Sequence, residues 1–260
     1  MTSTRWHEFV DTRADAEQDR LALLEALFDP FTRHNLDRLG LAPGWRCLEV
    51  GAGAGSIARL LAERAGAGQV VATDLGTSAL QALAPLGVRV LRHDVTSDPQ
   101  PGHFDLIHAR FVLDHLPERQ TTLARMASWL RPGGWVLVEA GGPLPELSSH
   151  PGVRRSLQAL STVMARAIGS DATWARTLPR PLERAGLIGC QAEGLAIPVR
   201  GGSPMARWLR ASTRLVQARA LAAGVVSQAE LEAAYDVYDD PDFVDYTWLT
   251  IAAWGRRGGA

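Results

Sequence analysis

The order of segments in this chain predicts an α/β fold: a mostly parallel sheet with helices on both faces. Three observations carry that expectation. Short apolar runs at 47–50, 70–73, 88–91, 104–109 and 135–138 alternate with helical patterns between about residues 45 and 140. A loop with glycine at 51, 53 and 55 joins the first run to a helix that Ser56 begins. Asp74 stands at the end of the second run, and Asp94 follows the third. Ligands on such a sheet sit beyond the carboxyl ends of the strands, where strand order reverses, so the first strand's loop is the place to look for a site.

The elements follow in order. Residues 15–39 carry Leu21, Leu24, Leu27 and Phe28 at helical spacing, with Pro30 expected to close the first piece. Pro43-Gly44 is a turn before the first strand. Ile57, Leu60 and Leu61 mark the inner face of the next helix, and Leu80 and Leu83 that of the one after. A helix over 121–130 leads into Arg131-Pro132-Gly133-Gly134, which reads as a turn before the fifth strand. Beyond residue 142 the chain is more helical, with helices expected at 153–168, 174–185, 204–223 and 228–238 and strands at 190–199 and 246–254. The helical stretch at about 203–240 is longer than a connection requires and reads as a cap over the mouth of a site.

Composition bounds the function. The chain has 260 residues, of which 46% are apolar and 21% charged, as in ordinary globular proteins. Basic and acidic residues balance to a net charge of −1, so nothing suggests a nucleic-acid partner. All 27 basic residues are arginine. The absence of lysine excludes Schiff-base lysine chemistry and the lysine of a phosphate-binding P-loop. Cys47 and Cys190 are too few for a disulfide framework, and neither looks catalytic. No apolar run is long enough to span a membrane, and the N-terminus lacks a signal-peptide shape. A cytoplasmic setting is the default expectation.

The glycine loop admits two readings from the residues alone. A strand-to-helix glycine turn lets ligand atoms approach the backbone, and the helix N-terminus favours an anionic group. The dinucleotide fingerprint would need glycine at 51, 53 and 56, but position 56 is serine. A tight turn without a ligand is the other reading. Asp74 at a strand end suits two ribose hydroxyls, and Asp94-Val95 suits an exocyclic amine beside an apolar ring face; each aspartate also suits a turn or cap.

Glu49-Val50-Gly51-Ala52-Gly53-Ala54-Gly55, Asp74, His93-Asp94-Val95, Phe104-Asp105-Leu106-Ile107 and Leu130-Arg131-Pro132-Gly133-Gly134 together resemble the successive motifs of class I S-adenosylmethionine-dependent methyltransferases. The resemblance covers residues 15–142 well and 246–255 loosely. It is strongest to small-molecule methyltransferases of bacterial secondary metabolism and quinone biosynthesis, and arginine-only basic usage suits a high-GC bacterium. The resemblance implies a Rossmann-like sheet of seven strands, mostly parallel, with an antiparallel last strand supplied by 246–254. It implies one domain over 1–260: an N-terminal helical lid over 1–40, a cofactor-binding half over 41–142 and helices with the sixth strand over 143–200. A helical cap would follow over 201–242, then the last strand and tail over 243–260.

It also implies roles. Gly51 and Gly53 would approach the methionine part and ribose of S-adenosylmethionine, with Glu49 ordering the site beneath. Asp74 would hold the ribose, Leu75 would pack on the adenine, Asp94 would take its amine and Val95 would touch the ring. Ala109 and Arg110 would lie beside the methionine moiety, and Glu17 and Arg20 would belong to the lid. The product would be S-adenosylhomocysteine, with no metal.

The sulfonium methyl is already electrophilic, so the protein must align, desolvate and, where needed, deprotonate the acceptor. His115, in Val112-Leu113-Asp114-His115-Leu116-Pro117, is the candidate base, with loop ordering or acceptor positioning as its other possible roles. His108 lies within a strand and is expected to pack there. Trp6, Phe9, Met164, Trp174, Trp208 and Tyr235 are candidates for an apolar or aromatic acceptor pocket, and equally for core. The remaining histidines show no metal-ligand spacing. The expected activity is methyl transfer to a small-molecule acceptor. Rival readings are non-methylating chemistry such as cyclisation with the same cofactor, a nicotinamide oxidoreductase, and a noncatalytic cofactor-binding regulator.

Overall fold

The computed structural model describes residues 14–259. Helix α1 (Ala14–Arg38) precedes β1 (Cys47–Val50), α2 (Ser56–Ala65), β2 (Val70–Asp74), a 3-10 segment (Ala79–Leu86) and β3 (Arg89–Arg92). Then come β4 (Phe104–Arg110), a 3-10 turn (Leu113–His115), α3 (Arg119–Ser128) and β5 (Leu130–Pro143). The second half holds α4 (Pro151–Ile168), α5 (Arg180–Arg184), β6 (Ile188–Leu195), β7 (Val199–Arg200), α6 (Pro204–Ala222), α7 (Gln228–Asp239), β8 (Val244–Asp245) and β9 (Trp248–Arg256).

The seven-stranded sheet runs β3-β2-β1-β4-β5-β9-β6. The first five strands are parallel, and β9 lies antiparallel between β5 and β6. Strand order reverses between β1 and β4, which places the sheet's crevice between the loops that follow them. Central strands of a parallel sheet are covered on both faces, and all four residues of β1 are buried.

One sheet face packs Cys47, Leu106, Leu137 and Ala252 against Phe31, Leu36, Ile57 and Leu61 of α1 and α2. The other packs Leu48, Val50, Ile107 and Val138 with Leu123, Met126 and Trp174. A third apolar cluster joins α4, α6 and α7 and reaches Phe28 of α1 and Trp248 of β9.

Several elements differ from the sequence expectation. Pro30 lies inside α1 and does not close it. Its missing N–H removes one intrahelical bond, while Phe28, Phe31 and Leu36, all buried, hold both halves of the helix in place. The segment carrying Leu80 and Leu83 is 3-10; with three residues per turn, that spacing still stacks both leucines inward. Residues 131–134 are a bulge within β5, where pairing shifts between Phe104 and Leu106. The helix expected at 174–185 is a 3-10 turn (Trp174–Thr177) followed by the short α5, because Pro179 and Pro181 remove backbone donors. The strand expected at 190–199 ends at Leu195, and Val199–Arg200 pairs separately with Val244–Asp245.

Where β5 passes the 169–173 loop, Gly142 leaves no room for a side chain, because a Cβ there would collide with the Ala172 carbonyl oxygen. Gly142→Ala is therefore expected to cost about 1–3 kcal/mol, read from thermal or denaturant unfolding. Gly68→Ala, where a Cβ meets nothing, should stay within about 0.5 kcal/mol.

Candidate active site

A cavity of about 530 Å³ opens at the carboxyl ends of β1, β2 and β4, a size suited to small-molecule ligands. Its walls come from α1, the glycine loop, the loops after β2, β3 and β4, the end of β5, α4, α6 and β9.

At one end the glycine loop forms the wall. Gly51, Gly53 and Gly55 all have left-handed backbone (φ +67°, +57° and +94°), which is why three glycines alternate here. The three are not equivalent. A Cβ on Gly51 would strike the Val112 side chain, and one on Gly55 would meet Leu83, whereas one on Gly53 would meet nothing. Gly53 thus leaves space beside its backbone in a wall of the cavity. Asp74 completes this end. Its Oδ2 accepts from the Gly53 N–H (3.0 Å) and its Oδ1 from the Gly76 N–H (3.0 Å), so one carboxylate fixes the loops after β1 and β2 together. Leu75, Asp94 and Val95 also line this end. Asp94 Oδ1 accepts from the N–H and hydroxyl of Thr96, which holds the turn after β3.

Helix α1 covers the cavity with Glu17, Arg20, Leu21, Leu24 and Glu25. Arg20 donates twice to the Glu17 carboxylate (2.8 and 2.7 Å) and is nearly buried. Arg110 reaches the cavity wall, but Ala109 does not: strand alternation turns its side chain into the core on the opposite sheet face.

Beneath the glycine loop lies a row of ionisable groups. The register pairs Glu49 of β1 with His108 of β4, and Arg110 of β4 with Glu139 of β5. Glu49, His108 and Glu139 are all buried. His108 Nδ1 lies 2.7 Å from Glu49 Oε2, and its Nε2 3.6 Å from Glu139 Oε2. Thr32 of α1 donates to Glu139, and Arg110 donates to Thr32 and pairs with Asp29, also on α1. Burial opposes charge on the imidazole, but Glu49 and Glu139 outweigh it and raise His108 to about 9. His108 is thus packed within its strand, as its position implies, and also paired there. A signal was present, since His108 interrupts the apolar run 106–109 and Glu139 the apolar run 135–140.

The other end is aromatic and aliphatic. Phe28, Phe111, Trp248 and Trp208 form a closed ring of edge-to-face contacts, with centroids 4.7–6.4 Å apart. Phe111 takes a left-handed backbone (φ +53°), strained for a bulky residue, at the reversal point of the sheet. Leu160, Met164 and Ile168 of α4 and Trp208, Ser212 and Leu215 of α6 complete the wall. Asp114 and His115 enter from the β4 loop. Burial pushes the Asp114 carboxyl above the usual carboxylate range.

Two expected acceptor-pocket residues lie elsewhere. Trp174 fills the sheet core beside Leu182 and Leu187, because its short turn packs under β5. Tyr235 sits on α7, behind α4 and α6; its hydroxyl donates to Gln217, and the guanidinium groups of Arg210 and Arg214 lie 5.4 and 5.2 Å from its ring. Trp6 and Phe9 lie outside the described residues. Cys47 is buried, and burial pushes its thiol up to about 12. Among the described residues no group of His, Cys, Asp and Glu has the makings of a metal site, and no helix is long and apolar enough to cross a membrane.

A family profile described as "Methyltransferase domain" matches residues 48–136. The methyltransferase str3 of Strobilurus tenacellus is 33% identical over 65% of the chain and 62% of its own length. The methyltransferase str2 of the same fungus is 30% identical over 70% of the chain and 67% of its own length. The chain belongs to the class I S-adenosylmethionine-dependent methyltransferase family. It spans about two thirds of the length of these curated relatives. In fold, the methyltransferase chain resembles YcgJ of Bacillus subtilis, with a TM-score of 0.58 and 14% identity over 86% of this chain and 97% of that one.

The family's cofactor, S-adenosylmethionine, fits the cavity's glycine end. Asp74 offers a preset carboxylate, Gly53 leaves space beside its backbone, and Asp94 and Val95 line the same end. Asp74→Asn keeps the shape but removes the charge, so affinity for S-adenosylhomocysteine should fall by about 1.5–3 kcal/mol in calorimetry. Unchanged affinity in a folded variant would remove Asp74 from the cofactor site.

Proposed function

We propose that this protein transfers the methyl group of S-adenosylmethionine to a small, largely apolar molecule of secondary metabolism held between α4, α6 and the β4 loop. The observation that carries the proposal is a single cavity with two chemically different ends: a glycine loop with fixed carboxylates, and a ring of aromatic side chains. Residues 201–242 serve as the cap in this reading, through Trp208, Ser212 and Leu215, and α1 serves as the lid.

When bound, S-adenosylmethionine supplies a methyl electrophile that needs no further activation. The chain's part is to align and dry the acceptor. Leu21 and Leu24 of α1, Leu160 and Met164 of α4, and Trp208 of α6 enclose the acceptor end with apolar surface, which excludes water from a reaction in which charge disperses. Alignment alone supplies up to about 7–11 kcal/mol of barrier reduction in favourable cases.

His115 is placed to hold the acceptor's proton. Ser170 Oγ donates to the Asp114 carbonyl (3.2 Å) and lies 3.0 Å from His115 Nδ1. A hydroxyl has one proton: when Ser170 gives it to the Asp114 carbonyl, Nδ1–H of His115 donates to Ser170 and the neutral ring carries its basic lone pair on Nε2. That arrangement is the one a base, or a residue accepting the acceptor's hydrogen bond, requires.

Incubation with S-adenosylmethionine and a panel of apolar phenols, amines and enols tests the reading. It should give methylated product and S-adenosylhomocysteine in equal amounts. Release of rearranged but unmethylated product would support cyclisation, and no turnover with any acceptor would support a binding role.

With an accepted substrate, His115→Gln should lower kcat by about 10²–10⁴ and abolish the acidic limb of the kcat profile while cofactor affinity holds. A rise in KM with an unchanged pH profile would assign His115 to acceptor positioning. Trp208→Ala should raise the acceptor's KM more than it changes cofactor affinity, because Trp208 stands at the aromatic end. Equal loss of both would mark Trp208 as packing alone.

A further inference from the structure

Of the row Glu49, His108, Glu139 and Thr32, only Glu49 lines the cavity. The rest lie one layer deeper, on a sheet face otherwise packed with Cys47, Leu106, Leu137 and Ala252. Ionisable groups are a costly way to fill such an interior, since well-packed apolar side chains of similar volume are often as stable or more so. What the row adds is connection. Glu49 belongs to β1 just before the glycine loop, His108 to β4, Glu139 to β5 and Thr32 to α1.

Helix α1 is attached at two levels. Its first turns carry Glu17, Arg20, Leu21 and Leu24 over the cavity. About 18 Å along the axis from Arg20, Thr32 donates to Glu139, and between them Asp29 pairs with Arg110 at 2.8 Å. Because α1 is one helix across both levels, the attachment of its lower end contributes, with the packing of Phe28, Phe31 and Leu36, to the tilt that seats the upper end.

We propose that His108 is a positioning residue for cofactor binding: by bridging Glu49 in the cavity wall to the carboxylate that holds Thr32, it couples the seating of α1 over the cofactor to the placement of Glu49. The proposal rests on the cofactor occupying the glycine end of the cavity. Coupling of this kind is reciprocal, so a change at Thr32, outside the cavity, is felt in cofactor affinity.

The charged groups around the ring are Glu49 from β1, Glu139 from β5, Arg110 from its own strand and, through Arg110, Asp29 from α1. With its proton, the imidazolium attracts both carboxylates. Once that proton leaves, at about pH 9, the ring no longer attracts Glu139 across 3.6 Å and the bridge opens on the α1 side. The sign follows: a raised histidine pKa stabilises the assembled state fully below the ordinary value, and that contribution is lost as pH rises through the folded value.

The test measures S-adenosylhomocysteine affinity by calorimetry and its release by a chase with excess S-adenosylmethionine. Thr32→Val should weaken affinity about tenfold, mainly through faster release, while Thr32→Ser, which keeps the hydroxyl, should match wild type. His108→Asn retains a donor toward Glu49 but cannot carry charge, so it should bind weakly at all pH values. The ratio of wild-type to His108→Asn affinity, in which titration of the ligand's own amine cancels, should fall toward one as pH passes about 9.

A folded Thr32→Val protein with lower thermal stability but wild-type affinity would overturn the coupling and leave the row as a structural element. So would an affinity ratio that does not change with pH. A wild-type protein that fails to bind S-adenosylhomocysteine would instead overturn the cofactor reading, and the coupling with it.

Discussion

The site depends on how closely two loops approach where the sheet reverses direction. After β1 the chain turns through Gly51, and after β4 it turns through Phe111 to Val112. The Val112 side chain occupies the space a Cβ on Gly51 would need. Both residues at this approach have left-handed backbone, free for Gly51 and strained for Phe111. The contact brings the carboxyl ends of β1 and β4 together and sets the glycine loop beside the aromatic ring of Phe28, Phe111, Trp208 and Trp248. Without it the two ends of the cavity would not share a wall.

The two sheet faces play different parts around that contact. One is apolar throughout and supplies stability through Leu48, Val50, Ile107, Val138 and the helices over them. The other is apolar at its base, but at the level of the site it carries Glu49, His108, Arg110 and Glu139 under α1. The same alternation of side chains produces both results. Positions 47 and 49 of β1, 106, 108 and 110 of β4, and 137 and 139 of β5 face α1, and the parallel register brings their charged members level with one another. Helix α1 is thus tied to the sheet by directional bonds near the site and by apolar packing farther from it.

Much of this was legible in the sequence. Alternating apolar runs and helical spacing identified the parallel strands and their crossovers, because both periodicities are local. The glycine loop, Asp74 and Asp94-Val95 were legible as a set, because each follows a strand in the same order as the family's motifs. Elements governed by tertiary contacts were not. Pro30 reads locally as a helix end, but packing of Phe28, Phe31 and Leu36 carries the helix past it. Trp174 and Tyr235 looked like pocket residues by type alone, and only the positions of their turn and helix show that they face elsewhere. The Glu49–His108–Glu139 row joins residues 59 and 31 positions apart, and nothing local to any one of them announces the others. Asp114 and Trp248 reach the cavity in the same non-local way.

In the proposed function one cavity holds cofactor and acceptor end to end, with the glycine loop fixing which end is which. The most direct measurement is a crystal structure of the protein with S-adenosylhomocysteine. The ribose hydroxyls should lie on the Asp74 carboxylate, the adenine between Leu75 and Val95, and the sulfur should be directed toward Met164 and Trp208. A nucleoside seated instead among Phe111, Trp208 and Trp248, or bound outside this cavity, would contradict that arrangement.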